Sequence, residues 1–326
     1  MADTGYSIQQ LDNSNYSLLV PLMKDCFAME VSPEYFKWKY FDNPAGRCIG
    51  FLAIEKRTNE GAAFYGAMPQ KYIVDEKEMT VYQACDTMTH TKHRKKSLYP
   101  ILARECYRVL QDQNNFSMIG IGGSVQSFPV LKHFGWKIIF NFKSYFKPRL
   151  FCRFYFFKKY PPEKFVLESS LDPLEKIITY QQPSSKIRSP RNLTHYKWRI
   201  SNPNYNYQIV SYRPKSGING FIIYYVQNNK IFLFDFIFSN EAARRALTWY
   251  LSKTVVRNNY KGIIAFCQED GDQSRQLKKS GFVSNPFKKG PLSGRPPFLI
   301  YGDEETMAKF SDAAKWSITA YDYDAS

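Results

Sequence analysis

The chain has 326 residues, too many for one ordinary domain and enough for two that each bury a core. With 44% hydrophobic and 23% charged residues, 26 Phe and 24 Tyr, the composition excludes a disordered or low-complexity chain. The net charge of +16 is spread evenly, 22 basic against 14 acidic residues over 1–160 and 23 against 15 over 161–326, which excludes a basic tail and suits polyanionic ligands without choosing among them.

The N-terminus, MADTGYSIQQLDNSNY, lacks the basic start and apolar run of a signal peptide, and no stretch approaches the ~20 predominantly apolar residues of a membrane span. The densest aromatic run, 151–157, is short and interrupted by Arg153. Cys26, Cys48, Cys85, Cys106, Cys152 and Cys267 are scattered, with no CxxC pair and no His at ligand spacing. A soluble, reduced, cytoplasmic protein without a metal is expected.

In chain order, the first marker is Phe36-Lys37-Trp38-Lys39 followed by Asp42-Asn43-Pro44. An extended segment is predicted over 80–89, a helix over 97–111, a strand over 118–121 and a short helix over 129–133, closed by Gly135-Trp136. Tyr160-Pro161-Pro162 then opens a stretch that also holds Pro173, Pro183 and Pro190, with helix-like material over 172–180. The first marker returns as Tyr196-Lys197-Trp198-Arg199 with Ser201-Asn202-Pro203, and the same order follows: strand 230–238, helix 241–256, strand 262–267, helix 273–279, Gly281-Phe282. The expectation is a duplicated α/β (α+β) unit, a mixed central sheet flanked by helices in each copy, with domains over 1–160 and 161–326.

Residues 84–99 carry the chemistry. A β-rich run enters the basic loop Arg94-Lys95-Lys96-Ser97, which opens onto a helix with Leu98, Ile101, Leu102, Val109 and Leu110 at helical spacing. Backbone N–H groups and the positive helix end then meet at the loop, which is an anion site by construction. The second half has Ser239-Asn240-Glu241 at the matching junction, where Glu241 would repel an anion. Strand periodicity puts Asp86, Met88 and His90 on one face, so Asp86 and His90 are the titratable pair nearest the loop. Either one, or an ordered water, can serve as the proton acceptor. Ser124 and Gln126 follow the strand 118–121 beside two glycines that permit close approach of a ligand.

The segment resembles the GNAT acyltransferase superfamily, whose fourth strand leads through a loop Gln/Arg-x-x-Gly-x-Gly/Ala into a helix that cradles the CoA pyrophosphate. Arg94 falls on the first position, with Ser97 and Tyr99 in place of the two glycines. The resemblance implies an acyl-CoA cosubstrate held by Thr87, Met88, Thr89, Arg94, Lys95, Lys96, Ser97, Leu98, Tyr99 and Ser124. A backbone N–H among Thr87–Thr89 would stabilise the tetrahedral oxygen. Trp38-Lys39-Tyr40 with Asn43-Pro44 resembles the acceptor-side segment, so Trp38, Tyr40 and Gln126 are expected to line the acceptor cleft. Where many members carry a Tyr four residues before the Gly-aromatic step, this chain has Leu131, and Tyr99 is the remaining candidate acid. The tail Trp316-Ser317-Ile318-Thr319-Ala320-Tyr321-Asp322-Tyr323-Asp324 is similar to the ending of two-domain members found with bacterial surface-sugar pathways. It implies an N-acyltransferase acting on a nucleotide-linked amino sugar such as a dTDP-amino-dideoxyhexose, in O-antigen (lipopolysaccharide) or capsule precursor synthesis. A tRNA-dependent aminoacyl transferase and a nucleic-acid-binding module are the other readings, the latter least supported because basic and aromatic residues form no recognisable motif.

Overall fold

The computed structural model describes residues 5–112, 116–122, 128–157, 160–215, 217–287, 289–290 and 292–323. The elements run β1 (Tyr6–Gln10), α1 (Leu19–Phe27), α2 (Pro33–Tyr40), β2 (Ile49–Glu55), β3 (Gly61–Val74), β4 (Lys77–Thr89), α3 (Leu98–Asp112), β5 (Ser117–Ile121), α4 (Phe128–His133) and β6 (Lys137–Pro148). They continue with α5 (Arg149–Arg153), β7 (Phe165–Glu168), α6 (Glu175–Tyr180), β8 (Ile187–Arg188), α7 (Leu193–Ile200), β9 (Gln208–Tyr212), β10 (Gly220–Gln227) and β11 (Lys230–Phe238). The last are α8 (Glu241–Arg257), β12 (Gly262–Gln268), α9 (Asp272–Lys279), β13 (Pro297–Gly302), α10 (Glu304–Phe310) and β14 (Trp316–Ser317). The mixed α/β class expected from the alternation of periods is what the chain adopts.

Two compact units divide the chain: Met1–Ile139 with Ser201–Asn204 and Pro297–Asp312, and Phe140–Ile200 with Tyr205–Pro296 and Ala313–Ser326. In unit 1 the strand order is β1-β2-β3-β4-β5-β13, antiparallel throughout except for the parallel β4–β5 pair. Unit 2 reads β7-β9-β10-β11-β12-β6 with the same pattern, its parallel pair being β11–β12. The final strand of each sheet comes from the other half of the sequence, β13 in unit 1 and β6 in unit 2. Each of these strands pairs with residues more than a hundred positions away, so no local pattern announces it.

In unit 1, α3 lays Leu98, Leu102, Cys106 and Leu110 against Phe51, Ala63, Tyr65 and Met118, an i, i+4, i+8, i+12 stripe on one helix face. In unit 2, α8 does the same with Ala243, Leu247, Leu251 and Val255 over Ile222, Leu233 and Ile263. The opposite face of that sheet is covered by Leu174, Ile178 and Tyr196 with Tyr321 of the tail. The repeated Asn-Pro turns close alike: Asn43 accepts from the Ala45 N–H at 2.9 Å and Asn202 from the Asn204 N–H at 3.0 Å.

Candidate functional site

The β4–β5 ladder of unit 1 runs through Tyr82–Met118 and Gln83–Ile119 and ends at Ala84–Gly120, although β4 continues to Thr89. Beyond that point β4 pairs with β3 through a bulge, Cys85 opposite Gly66 and Met88 opposite Phe64, so that Asp86 and Thr87 share Tyr65 as their opposite number. Asp86 takes φ 45°, a left-handed conformation uncommon outside glycine. The bulge breaks the two-residue alternation that would have put Asp86, Met88 and His90 on one face. Met88 is buried, Thr87 is exposed, and Asp86 and His90 turn to different partners.

Asp86 is anchored from α2. The Lys39 Nζ lies 2.6 Å from its Oδ2, and the Tyr40 hydroxyl donates to the same oxygen. Burial and the neighbouring carboxylate push the Tyr40 phenol well above its ordinary pKa, which keeps it a donor. Lys39 is 1% exposed, so the carboxylate is the counter-charge its burial requires. Trp38 and Tyr40 are 5% and 0% exposed and pack with Tyr35, Phe36 and Phe64. Neither presents the open ring face expected of a residue that stacks on an acceptor, because the short helix turns this aromatic run into the core.

His90 begins the short 3-10 turn Thr91–His93, its Nδ1 accepting from the Lys92 N–H at 3.2 Å, with Nε2 3.7 Å from Asp25 of α1. Asp25 also accepts from the Thr91 N–H at 2.8 Å and the Thr91 hydroxyl at 2.9 Å. Burial works to raise that carboxyl, yet the Thr91 hydrogen bonds and the charges of His90 and Arg94 hold it below the usual range. His93 is buried, bonded through Nδ1 to the Tyr6 hydroxyl at 2.8 Å, and its imidazole is pushed down by burial. The chain leaving β4 is thus braced on both sides before the basic loop begins.

Arg94, Lys95, Lys96 and Ser97 are all exposed, while Leu98 is buried and Tyr99 packs 5.7 Å from the Tyr65 ring. Burial pushes the Tyr99 phenol well up, which holds its proton on. Lys95 and Ser97 take φ 65° and 55° after an extended Arg94. A left-handed residue with a Cβ costs about 1–2 kcal/mol, so two within three positions mark a loop whose backbone shape is enforced. Ser97 occupies the first glycine position of the loop pattern and keeps the conformation a glycine would favour. Successive residues of differing handedness turn backbone N–H groups into an anion-binding concavity. It lies at the N-terminus of α3, whose first turn has no acidic residue. Lys96 reaches back over the Tyr6 ring at 5.5 Å.

Ser124 and Gln126 lie outside the described residues. No group of three or more His, Cys, Asp or Glu able to hold a metal ion occurs among the described residues, and no helix there is long and apolar enough to cross a membrane.

What the sequence missed is the second copy of the anchor. In unit 2, β10 and β11 bulge between Ile223–Asp235 and Tyr224–Leu233, and Asp235, two residues past the last parallel pair as Asp86 is, accepts from the Tyr196 hydroxyl and pairs with Arg191 at 3.3 Å. The repeated markers did not signal it, because they align Tyr196 with Phe36, which has no hydroxyl, whereas the donor in unit 1 is Tyr40. The tail has a structural part there: Thr319 and Asp322 form a capping box, Ser189 donates to Asp322, and Tyr321 stacks 3.8 Å from the Arg191 guanidinium. Asp324, the last acid of that tail, lies outside the described residues.

The sequence matches no protein-family model and no curated protein sequence. Solved structures do share the fold. A probable N-acyltransferase from Enterococcus faecalis superposes with a TM-score of 0.69 at 10% identity, over 91% of this chain and 71% of that one. A GCN5-related N-acetyltransferase from Anabaena variabilis gives 0.64 at 10% identity, over 90% and 72%. The Saccharomyces cerevisiae N-myristoyltransferase with bound myristoyl-CoA gives 0.62 at 14% identity, over 91% and 79%.

Proposed function

We propose that the protein is a CoA-dependent N-acyltransferase whose acyl-CoA site is the 94–97 loop and the bulged end of β4 in unit 1. The carrying observation is the pair of left-handed residues, Lys95 and Ser97, in a cationic loop at the start of α3. That shape is retained without glycine, and pyrophosphate is the anion that offsets both the strain and the clustered charge. The shared fold of acyltransferases, one of them holding myristoyl-CoA, supports the same reading.

In this reading the acceptor amine attacks the thioester carbon, an N–H of the bulged segment 87–89 holds the developing oxyanion, the C–S bond breaks and CoA leaves as thiolate. The amine's proton passes to water. Asp86 and His90 act through position, because Asp86 is ion-paired with Lys39 and bonded to Tyr40, while the His90 Nδ1 already accepts a backbone N–H. The acceptor is the amino group of a nucleotide-linked amino sugar, a class supported by the tail's resemblance and by the net charge of +16.

The test is thermal unfolding of the full chain with CoA, acetyl-CoA, dTDP and UDP, singly and in pairs. Stabilisation by CoA and further by one nucleotide is expected. A chain indifferent to CoA overturns the transferase reading, and one stabilised by CoA but by no nucleotide overturns the acceptor class.

A further inference from the structure

Unit 2 presents an apolar patch that the fold leaves in water. α5 and the 3-10 turn that continues it, Phe154–Phe157, lie along α8. Cys152 and Tyr155, three residues apart, make the inward face: Cys152 is fully buried in the core of the unit, and the Tyr155 ring covers the Lys147 Nζ at 3.4 Å. Leu150, Phe151, Arg153 and Phe154 face outward, the three apolar side chains being 60%, 37% and 66% exposed. Leu167 and Tyr180 are exposed as well, but singly, which is ordinary for a protein surface. Three large apolar side chains within five positions form a patch, and such patches mark contact surfaces.

Charge selects the occupant. The patch lies in a stretch, 113–162, that holds eight Lys and Arg and no Asp or Glu. Arg153 is exposed within the patch. Arg149 is half-buried at its start, where its backbone N–H donates to the carbonyl of exposed Lys261 at 3.0 Å. Glu241, near Tyr155, is taken up by Arg244 and Arg245. A second copy docking here about a two-fold axis would bring like cations together and oppose two chains of net charge +16. Nucleic acid would match the charge but not the aliphatic Leu150, which has no ring face for a base to stack on. An anionic bilayer accepts both features, its headgroups pairing with the cations while the apolar side chains enter the acyl boundary.

We infer that the α5 face is a membrane-surface contact, seating unit 2 peripherally on anionic lipid through Leu150, Phe151 and Phe154, with Arg149 and Arg153 at the headgroups. The surface belongs to unit 2 alone and does not depend on acyl transfer in unit 1.

Co-sedimentation of the full chain with vesicles tests it, phosphatidylcholine alone against phosphatidylcholine with about one third phosphatidylglycerol, at about 0.1 M salt. The anionic vesicles should hold the protein at least about tenfold more tightly, and about 0.5 M salt should erase most of the difference. Leu150→Ser/Phe154→Ser should weaken binding to the anionic vesicles at least about tenfold and leave the melting temperature of the free chain unchanged, since both side chains already stand in water. Arg153→Glu should weaken it about tenfold with the apolar face intact. Equal binding to both vesicle types, binding to neither, or binding unchanged in the double variant overturns the proposal. A dimer that the double variant converts to monomer in sedimentation velocity overturns it in favour of a second copy. A duplex DNA held more tightly than the anionic vesicles, and released by the same variant, overturns it in favour of nucleic acid.

Discussion

Units 1 and 2 share a sheet order, a bulge on the strand before the parallel partner and an aspartate anchored there by an aromatic hydroxyl, yet they part where that strand enters its helix. In unit 2, Asn240 caps α8 by accepting the Ala243 N–H at 2.9 Å, and Glu241 follows in the first turn, held at about 2 by its Arg244 hydrogen bond. The positive helix end is satisfied from within. In unit 1 the corresponding residues are three exposed cations, Lys95 and the following Ser97 being left-handed, with no acid in the first turn of α3. The two units keep one scaffold, and the site we propose falls on the four residues, 94–97, where unit 1 does not satisfy its own helix end.

The largest effect should come from the shared anchor. Asp86→Asn leaves Lys39 buried without its carboxylate and Asp235→Asn does the same to Arg191, so each should lower stability by about 3–5 kcal/mol in chemical denaturation. Similar losses from both mark the aspartates as the same structural part. If residual folded Asp86→Asn lost activity while pH-rate profiles lost a limb, Asp86 would be a base as well, and the anchoring role would not suffice.

The two lysines buried among the described residues differ in the same spirit. Lys39 has a carboxylate, whereas Lys147 of β6, 0% exposed, donates to the Ser280 carbonyl at 2.7 Å and lies 3.4 Å over the Tyr155 ring. Burial pushes Lys147 from 10.5 down to about 7. Between those values the unfolded chain binds the proton that the folded chain has released, so stability should rise with pH across that window, by about 4 kcal/mol at most. Lys147→Met should flatten that rise in denaturation curves collected from pH 7 to pH 10. An unchanged slope would place the titration elsewhere.

A smaller change sharpens the loop itself. Ser97→Gly places at φ 55° a residue that carries no Cβ penalty there, and should raise the melting midpoint by the equivalent of about 0.5–1 kcal/mol without weakening CoA binding. A loss of stability would mean that the serine side chain holds the turn.

Much of this architecture was legible because it is local. The period of 230–238, the helix from 241 and the strand from 262 are read from spacing, and the paired aromatic-Lys-Trp markers pointed to two similarly ordered halves. The cationic loop was legible for the same reason. The exchange of β6 and β13 was not, since pairing between residues about 120 apart (β6 with β12) and about 180 apart (β13 with β5) leaves no trace in periodicity. Nor was the bulge, which moved Asp86 and His90 to separate partners and so dissolved a catalytic pair drawn from alternation. Trp38 and Tyr40 misled through their chemistry: aromatic side chains serve cores and clefts equally, and the deciding fact is the burial of α2.

The central claim is tested most directly by calorimetric titration of CoA into the intact protein, into the variant Arg94→Ala/Lys95→Ala/Lys96→Ala, and into Asn240→Ala/Glu241→Ala at the matching junction of unit 2. Without the charge-assisted hydrogen bonds of the first site, CoA should bind about 100-fold more weakly or worse, while the second variant binds as the parent does. Equal affinity in all three would contradict the assignment of the anion site to unit 1.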